Sequence, residues 1–114
     1  PGGPARVMSF SWQALRRVRR RAPDVRVVQL IDQMGAWPLV RRSVGRDWIL
    51  GPGVQELREH PRTARRIADS GHEVHVWTVN TRSDLELCLE LGVSAVISDR
   101  PAYVLELLDD LGVH

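Results

Sequence analysis

The order of segments predicts an α/β fold, a parallel sheet wrapped by helices in the number of units that makes half of an eight-stranded β/α barrel. Three observations carry this. Short β-branched apolar runs alternate with stretches of helical period along most of the chain. Most helical stretches carry their own start or stop residue: Ser11, Thr81 and Pro101 at starts, Gly71 and Gly92 at ends. A free-standing sheet of four units would leave two bare edges and an unfilled interior, and no Gly-rich phosphate fingerprint follows the first strand, so a longer barrel explains the pattern better than a flavodoxin-like sheet.

Taken in order, Arg6 to Phe10 reads as a strand. Ser11 then caps a helix in which Trp12, Leu15 and Val18 recur every three residues and arginines fill the other face. Pro23-Asp24 ends it, and residues 25–31 form a β-branched buried strand. Residues 32–53 read as an irregular excursion punctuated by Gly35, Pro38, Gly45, Gly51, Pro52 and Gly53, with a short strand possible at 47–50. Pro61 opens a helix with Ala64, Ile67 and Ala68 on its apolar stripe. Residues 73–79 are a strand. Thr81 to Asp84 and Ser83 to Glu86 both have capping-box spacing ahead of a helix with Leu85, Cys88 and Leu89 on one face. Residues 95–98 make the last strand. Pro101 opens a final helix carrying Val104, Leu107, Leu108 and Leu111.

Composition narrows the function classes. The chain has 114 residues, enough for one domain, with 43% hydrophobic and 26% charged residues, which argues against wholesale disorder. Its single cysteine, Cys88, excludes a disulfide-stapled miniprotein and a Cys-rich metal site. No apolar run approaches the roughly 20 residues of a membrane span. The opening Pro1-Gly2-Gly3-Pro4 has neither an initiator Met nor a signal-peptide apolar stretch, so the chain is expected to begin inside a longer product. All 16 basic residues are arginine and the net charge is only +2. That pattern fits GC-rich coding better than a nucleic-acid surface.

Four stretches in sequence resemble the glycerophosphodiester phosphodiesterase family: Val7-Met8-Ser9-Phe10, the Gly71 to Asn80 block ending V-W-T-V-N, the Leu91 to Ile97 block, and Ser98-Asp99-Arg100-Pro101. The family pattern there is S-F, G-x-x-V-x-x-W-T-V-N, G-V-[DS]-x-[IV]-[IV] and T-D-x-P, with Ser98 standing in place of the Thr. The resemblance implies a (β/α)8 barrel that hydrolyses glycerophosphodiesters to an alcohol and glycerol 3-phosphate with a divalent cation, Ca²⁺ or Mg²⁺, and two acid–base histidines. The family's H-R-G, E-x-D, H-D and E-x-K motifs do not occur here. The matched stretches correspond to about strands 5–8, so the chain is expected to be the C-terminal half of a TIM-type barrel, over residues 1–114, with no catalytic residue and no metal ligand of its own.

Trp77 is the leading candidate. It lies near a strand's C-terminal end, where barrel enzymes place their sites, opposite Val74 and Val76 by the period of two. The resemblance gives it the glycerol-contacting wall of a substrate pocket. Phe10, Ser9 and Asn80, also at strand ends, are the other substrate-binding candidates, and Gln29 is a weaker one. His75 shares the face of Trp77 one layer deeper and reads as a satisfied interior histidine. Asp99 with Pro101 shapes the approach to the last helix, and Gly51-Pro52-Gly53 reads as a packing turn rather than a phosphate cradle. His60, His72 and His114 show no metal-ligand spacing and are expected at the surface. The run Arg16 to Arg21 reads as a solvated helix face.

The resulting expectation is a segment of a metal-dependent phosphodiesterase that supplies pocket walls, is inactive alone, and works with a missing N-terminal half. The alternative is a non-catalytic half-barrel that pairs with a second copy as a binding or scaffold module. Neither nucleic acid nor a membrane span is expected. The compartment stays open, with the cytoplasm favoured, because any targeting signal would lie upstream.

Overall fold

A computed structural model describes residues 6–113; residues 1–5, with the opening Pro1 to Pro4, and the terminal His114 lie outside the described residues. Strand β1 (Arg6–Ser9) leads through helix α1 (Trp12–Arg21) to β2 (Arg26–Ile31). A 3-10 turn (Met34–Ala36) and α2 (Trp37–Ser43) precede β3 (Ile49–Pro52). Helices α3 (Val54–Glu59) and α4 (Pro61–Ala68) lead to β4 (His75–Trp77), then come α5 (Arg82–Leu91), β5 (Ala95–Ile97) and α6 (Pro101–Asp110).

Every ladder is parallel. β1 pairs with β2, β2 with β3, and β4 with β5, while Leu50↔Val74 and Gly53↔Trp77 bridge β3 to β4. Strand order therefore follows chain order. Sequential parallel strands with crossovers of one hand place all their helices on one side, as in a barrel wall; a doubly wound sheet reverses its order and covers both faces. The packing agrees. Ile31, Leu50, Val74 and Val76 join residues of α2 to α6 in one core cluster, and Val27 joins Leu15 and Trp48 in a second, with Val7, Trp12 and Val18 against it. The opposite face is buried at its centre, where Val28 and Ile49 are at most 1% exposed, and open along its edge strands: Met8 and Phe10 are 45% and 51% exposed, and Ile97 is 38% exposed.

One expectation is corrected. Residues 32–53 are not an irregular excursion: they hold α2 and β3, the latter overlapping the possible strand at 47–50 by two residues, so that five parallel strands stand where the alternation counts four. The breakers that hide β3 are used by it. Pro52 ends the strand, opposite Ile31, and Gly53 resumes the bonding to β2 through its N–H to the Ile31 carbonyl at 3.2 Å. Gly45 lets the chain pass the indole of Trp48, since a Cβ there would lie 2.6 Å from Trp48 Nε1. Ile49 and Leu50 are wholly buried, as a central strand requires.

The predicted caps are largely present. Ser11 Oγ accepts from the Ala14 N–H at 3.2 Å, and Thr81 Oγ1 from the Asp84 N–H at 3.1 Å. Of the two candidate caps the fold uses Thr81, while the Ser83 hydroxyl accepts from Arg58 at 3.1 Å and the Asp84 carboxylate also pairs with Arg58. Gly92 closes α5 in the left-handed conformation, φ 72°.

Candidate functional site

The open face converges on Trp77. Alternation along β4 turns Val74 and Val76 toward the helices and His75 and Trp77 the other way. The indole Nε1–H donates to the Gly51 carbonyl at 2.7 Å, fixing the ring across β3. Gly53 lies under the ring: a Cβ there would come within 3.3 Å of Trp77 Cη2, so a bare backbone is what admits the indole. Phe10 meets Trp77 edge-on, centroids 6.3 Å apart and planes at 79°. Two strands separate β1 from β4, so this contact reflects a sheet curling toward the open face. The Trp77–Thr78 peptide is cis.

One layer deeper, His75 is 4% exposed and its Nε2 lies 2.6 Å from Glu73 Oε2, while Glu73 Oε1 accepts from Arg26 Nη2 at 3.1 Å. The Arg26 hydrogen bond, aided by His75 and outweighing partial burial, holds the Glu73 carboxyl below its ordinary value. His75 is thus engaged within the sheet, as an interior histidine is.

The other candidates are placed differently. Ser9 shares the β1 face of Val7, and its hydroxyl accepts from the Ser11 N–H at 3.0 Å, fixing the turn into α1. Asn80 Oδ1 accepts from the Ser98 hydroxyl at 2.8 Å and the Asp99 N–H at 3.1 Å, so the V-W-T-V-N and S-D-R-P segments are tied to each other. Ser98 Oγ in turn accepts from the Arg100 N–H at 2.9 Å, shaping the path to Pro101 at the first turn of α6. Phe10 and Trp77 are therefore brought together, while Ser9 and Asn80 organise the loops around them.

Gln29 has a larger part than its pattern suggested. It is 2% exposed, on the β2 face of Val27 and Ile31, and its Nε2 donates to the carbonyls of Phe10 at 2.9 Å and Leu30 at 3.2 Å. It anchors the backbone that carries Phe10. A polar residue inside an otherwise apolar strand is the signal that marks it. Gly51-Pro52-Gly53 is committed to the sheet: the Gly51 carbonyl takes the indole, and the Gly53 N–H donates to Ile31 O at 3.2 Å.

Among the described residues, one group of three metal-ligating side chains comes together: Glu56, Glu59 and His60, with ligand atoms within 4.8 Å of one another. Their i, i+3, i+4 spacing is the signal that marks them in the sequence. The group is on α3 and its rim, with Glu59 and His60 exposed, and Glu56 already faces His60 at 3.7 Å. His72 is half-buried rather than at the open surface, because its Nδ1 bonds the Trp48 carbonyl at 2.9 Å. The arginines of α1 are partly engaged: Arg16 stacks on Trp12 at 4.8 Å and Arg19 pairs with Asp47 at 2.8 Å.

Comparison with known proteins gives one family. The glycerophosphoryl diester phosphodiesterase family model matches residues 2–103. The chain is 33% identical over 108 residues to a Mycobacterium tuberculosis protein named probable glycerophosphodiester phosphodiesterase 1, and 27% identical over 101 residues to the glycerophosphodiester phosphodiesterase of Bacillus subtilis. Those alignments cover 91% and 87% of this chain but only 38% and 34% of the relatives, so the chain spans little more than a third of their length. A crystal structure from Silicibacter pomeroyi bearing the family name superposes with a TM-score of 0.76 at 24% identity, over 95% of this chain and 39% of that one. A glycerophosphodiester phosphodiesterase from Parabacteroides distasonis superposes with a TM-score of 0.70 at 22% identity, over 92% and 43%. The parallel five-strand wall is thus part of a TIM-type barrel. The chain belongs to the glycerophosphoryl diester phosphodiesterase family.

Proposed function

We propose that this chain forms substrate-pocket walls of a phosphodiesterase that hydrolyses glycerophosphodiesters to an alcohol and glycerol 3-phosphate. The observation that carries this is the Phe10–Trp77 pair at the C-terminal ends of β1 and β4, where barrel enzymes work. An aromatic corner suits the carbon face of a glycerol unit. With the indole N–H committed to Gly51 O, Trp77 offers its ring rather than a hydrogen bond. Ser9, Gln29 and Asn80 hold the loops that frame the corner.

The residues present do not fit a phosphate-polarising cation at this mouth. Such a cation needs clustered oxygen ligands, whereas Asp32 and Asp99 follow β2 and β5 singly and the Glu56, Glu59, His60 group lies on and just past α3. The Ca²⁺ or Mg²⁺ and the acid–base groups of the reaction are therefore assigned to the rest of the enzyme, and the chain alone is expected to be inactive. An NMR titration with a glycerophosphodiester tests the pocket. Shifts at the Phe10 ring and Trp77 indole support the reading; shifts confined elsewhere refute it.

The half-exposed Met8, Phe10 and Ile97 favour a second reading, in which two copies close their open faces on each other without catalysis. A dimer by sedimentation that binds no glycerophosphodiester would favour it over the first.

A further inference from the structure

We propose that the groove between α2 and α4, at the N-terminal end of the sheet and so on the opposite rim from Trp77, binds a phosphate monoester dianion. The groove encloses about 570 Å³ and is lined by Trp37, Arg41, Arg65, Arg66, Asp69, Ser70 and His72. That volume suits a small phosphorylated molecule. Three guanidiniums face one carboxylate, and that carboxylate, Asp69, is 3.7 Å from Arg65. Arg41 and Arg66 make no ion pair among the described residues. Basic residues in a last helical turn complement the helix dipole. Two helices and the 69–72 loop gathering theirs around one concavity goes further, and planar guanidinium forks match phosphate oxygens in pairs.

His72 borders the groove. Its Nδ1 faces the Trp48 carbonyl at 2.9 Å, an acceptor, so the proton sits on Nδ1, and Nε2 of the neutral ring is an acceptor suited to a ligand hydroxyl rather than to the phosphate oxygens that the guanidiniums take. Trp37 gives an apolar wall for the carbon part of a ligand. Two uncommitted guanidiniums favour a doubly charged monoester over a singly charged diester. The groove is built by successive units of this chain, whose neighbours α1 and α5 are both present.

Calorimetric titration of the 114-residue chain with inorganic phosphate, glycerol 3-phosphate and a glycerophosphodiester tests this. Saturable binding is expected, at least tenfold tighter for the two dianions than for the diester. Tighter binding of glycerol 3-phosphate than of inorganic phosphate identifies an organic monoester as the ligand; equal affinities identify free phosphate. The Arg41→Gln/Arg66→Gln double variant, checked for folding by circular dichroism, is expected to lose at least tenfold in affinity. Arg17→Gln/Arg21→Gln, which removes the same charge from the exposed face of α1, should stay within twofold, and Trp77→Ala should bind unchanged. The His72 imidazole resonances should move on saturation. Absence of saturation, an equal loss in the charge control, or loss in Trp77→Ala would overturn the proposal.

Discussion

Replacing Gly51 by alanine adds one methyl where the curled sheet has no room for it. A Cβ at this position would lie 2.9 Å from Val28 Cγ1 and 3.0 Å from Leu30 Cδ2, against an optimal carbon–carbon separation of about 3.5–4.0 Å. Leu30 can swing its terminal methyl aside. Val28 cannot, because it is 1% exposed, stiff at χ1 and paired in register with Ile49. Strand β3 must then move by about half an ångström or more, at a cost of roughly 1–3 kcal/mol for overpacking. With a urea m-value of about 1–3 kcal/mol/M, the midpoint should fall by about 1 M. The displaced carbonyl would also release the Trp77 indole, visible as a shifted indole N–H resonance. Gly35→Ala is the control, since nothing lies within 4 Å of its Cβ position; it should stay within about 0.5 kcal/mol. Equal stability of the two variants would refute the packing argument.

Asn80→Ala should cost about 1–2 kcal/mol in thermal unfolding, because it strands the Ser98 hydroxyl and the Asp99 N–H that its Oδ1 accepts from; an unchanged Tm would show that the two motifs are held together by other contacts. Acid unfolding should depend on Glu73. Its folded pKa is lowered, chiefly by Arg26, so its contribution is full above the ordinary carboxylate value near 4.5 and disappears as pH falls through the lower folded value. Glu73→Gln should flatten that acid limb, and a limb identical to wild type would count against the Arg26–Glu73–His75 chain. Burial, reinforced by Asp84, pushes the Cys88 thiol up to about 11; a thiol reagent at pH 8 should label it only on unfolding, and rapid labelling of the native chain would contradict the core placement.

Much of the wall was legible because its signals are local. The period-two pattern of Val74, Val76 and Trp77 gives the two faces of β4 before any tertiary contact is known. Ser11, Thr81 and Gly92 act at their own helix ends, where capping is a matter of one side chain or one φ angle. β3 was only half legible, for the opposite reason. The possible strand at 47–50 takes in Ile49 and Leu50, but Gly51 and Pro52 read as breakers, and the strand runs on through them because neighbours on both sides supply its hydrogen bonds. α3 and α2, six and seven residues long, are short for a periodic signal to register. In the candidate site, position along a strand was readable and partnership was not. Nothing in the spacing of Phe10 and Trp77 says that they meet, since that contact depends on sheet curvature. Nor does it say that Ser9 accepts from the Ser11 N–H, or that Asn80 accepts from the Ser98 hydroxyl and the Asp99 N–H.

The most direct measurement is glycerophosphodiester hydrolysis by this chain alone and by the same chain joined to the N-terminal portion of its Mycobacterium tuberculosis relative, each with Ca²⁺ or Mg²⁺ present. The account expects no turnover from the chain alone, turnover from the joined protein, and a loss of at least tenfold in kcat/KM when Trp77 is changed to alanine in it. Metal-dependent turnover by the isolated chain, or a joined enzyme indifferent to Trp77→Ala, would contradict it.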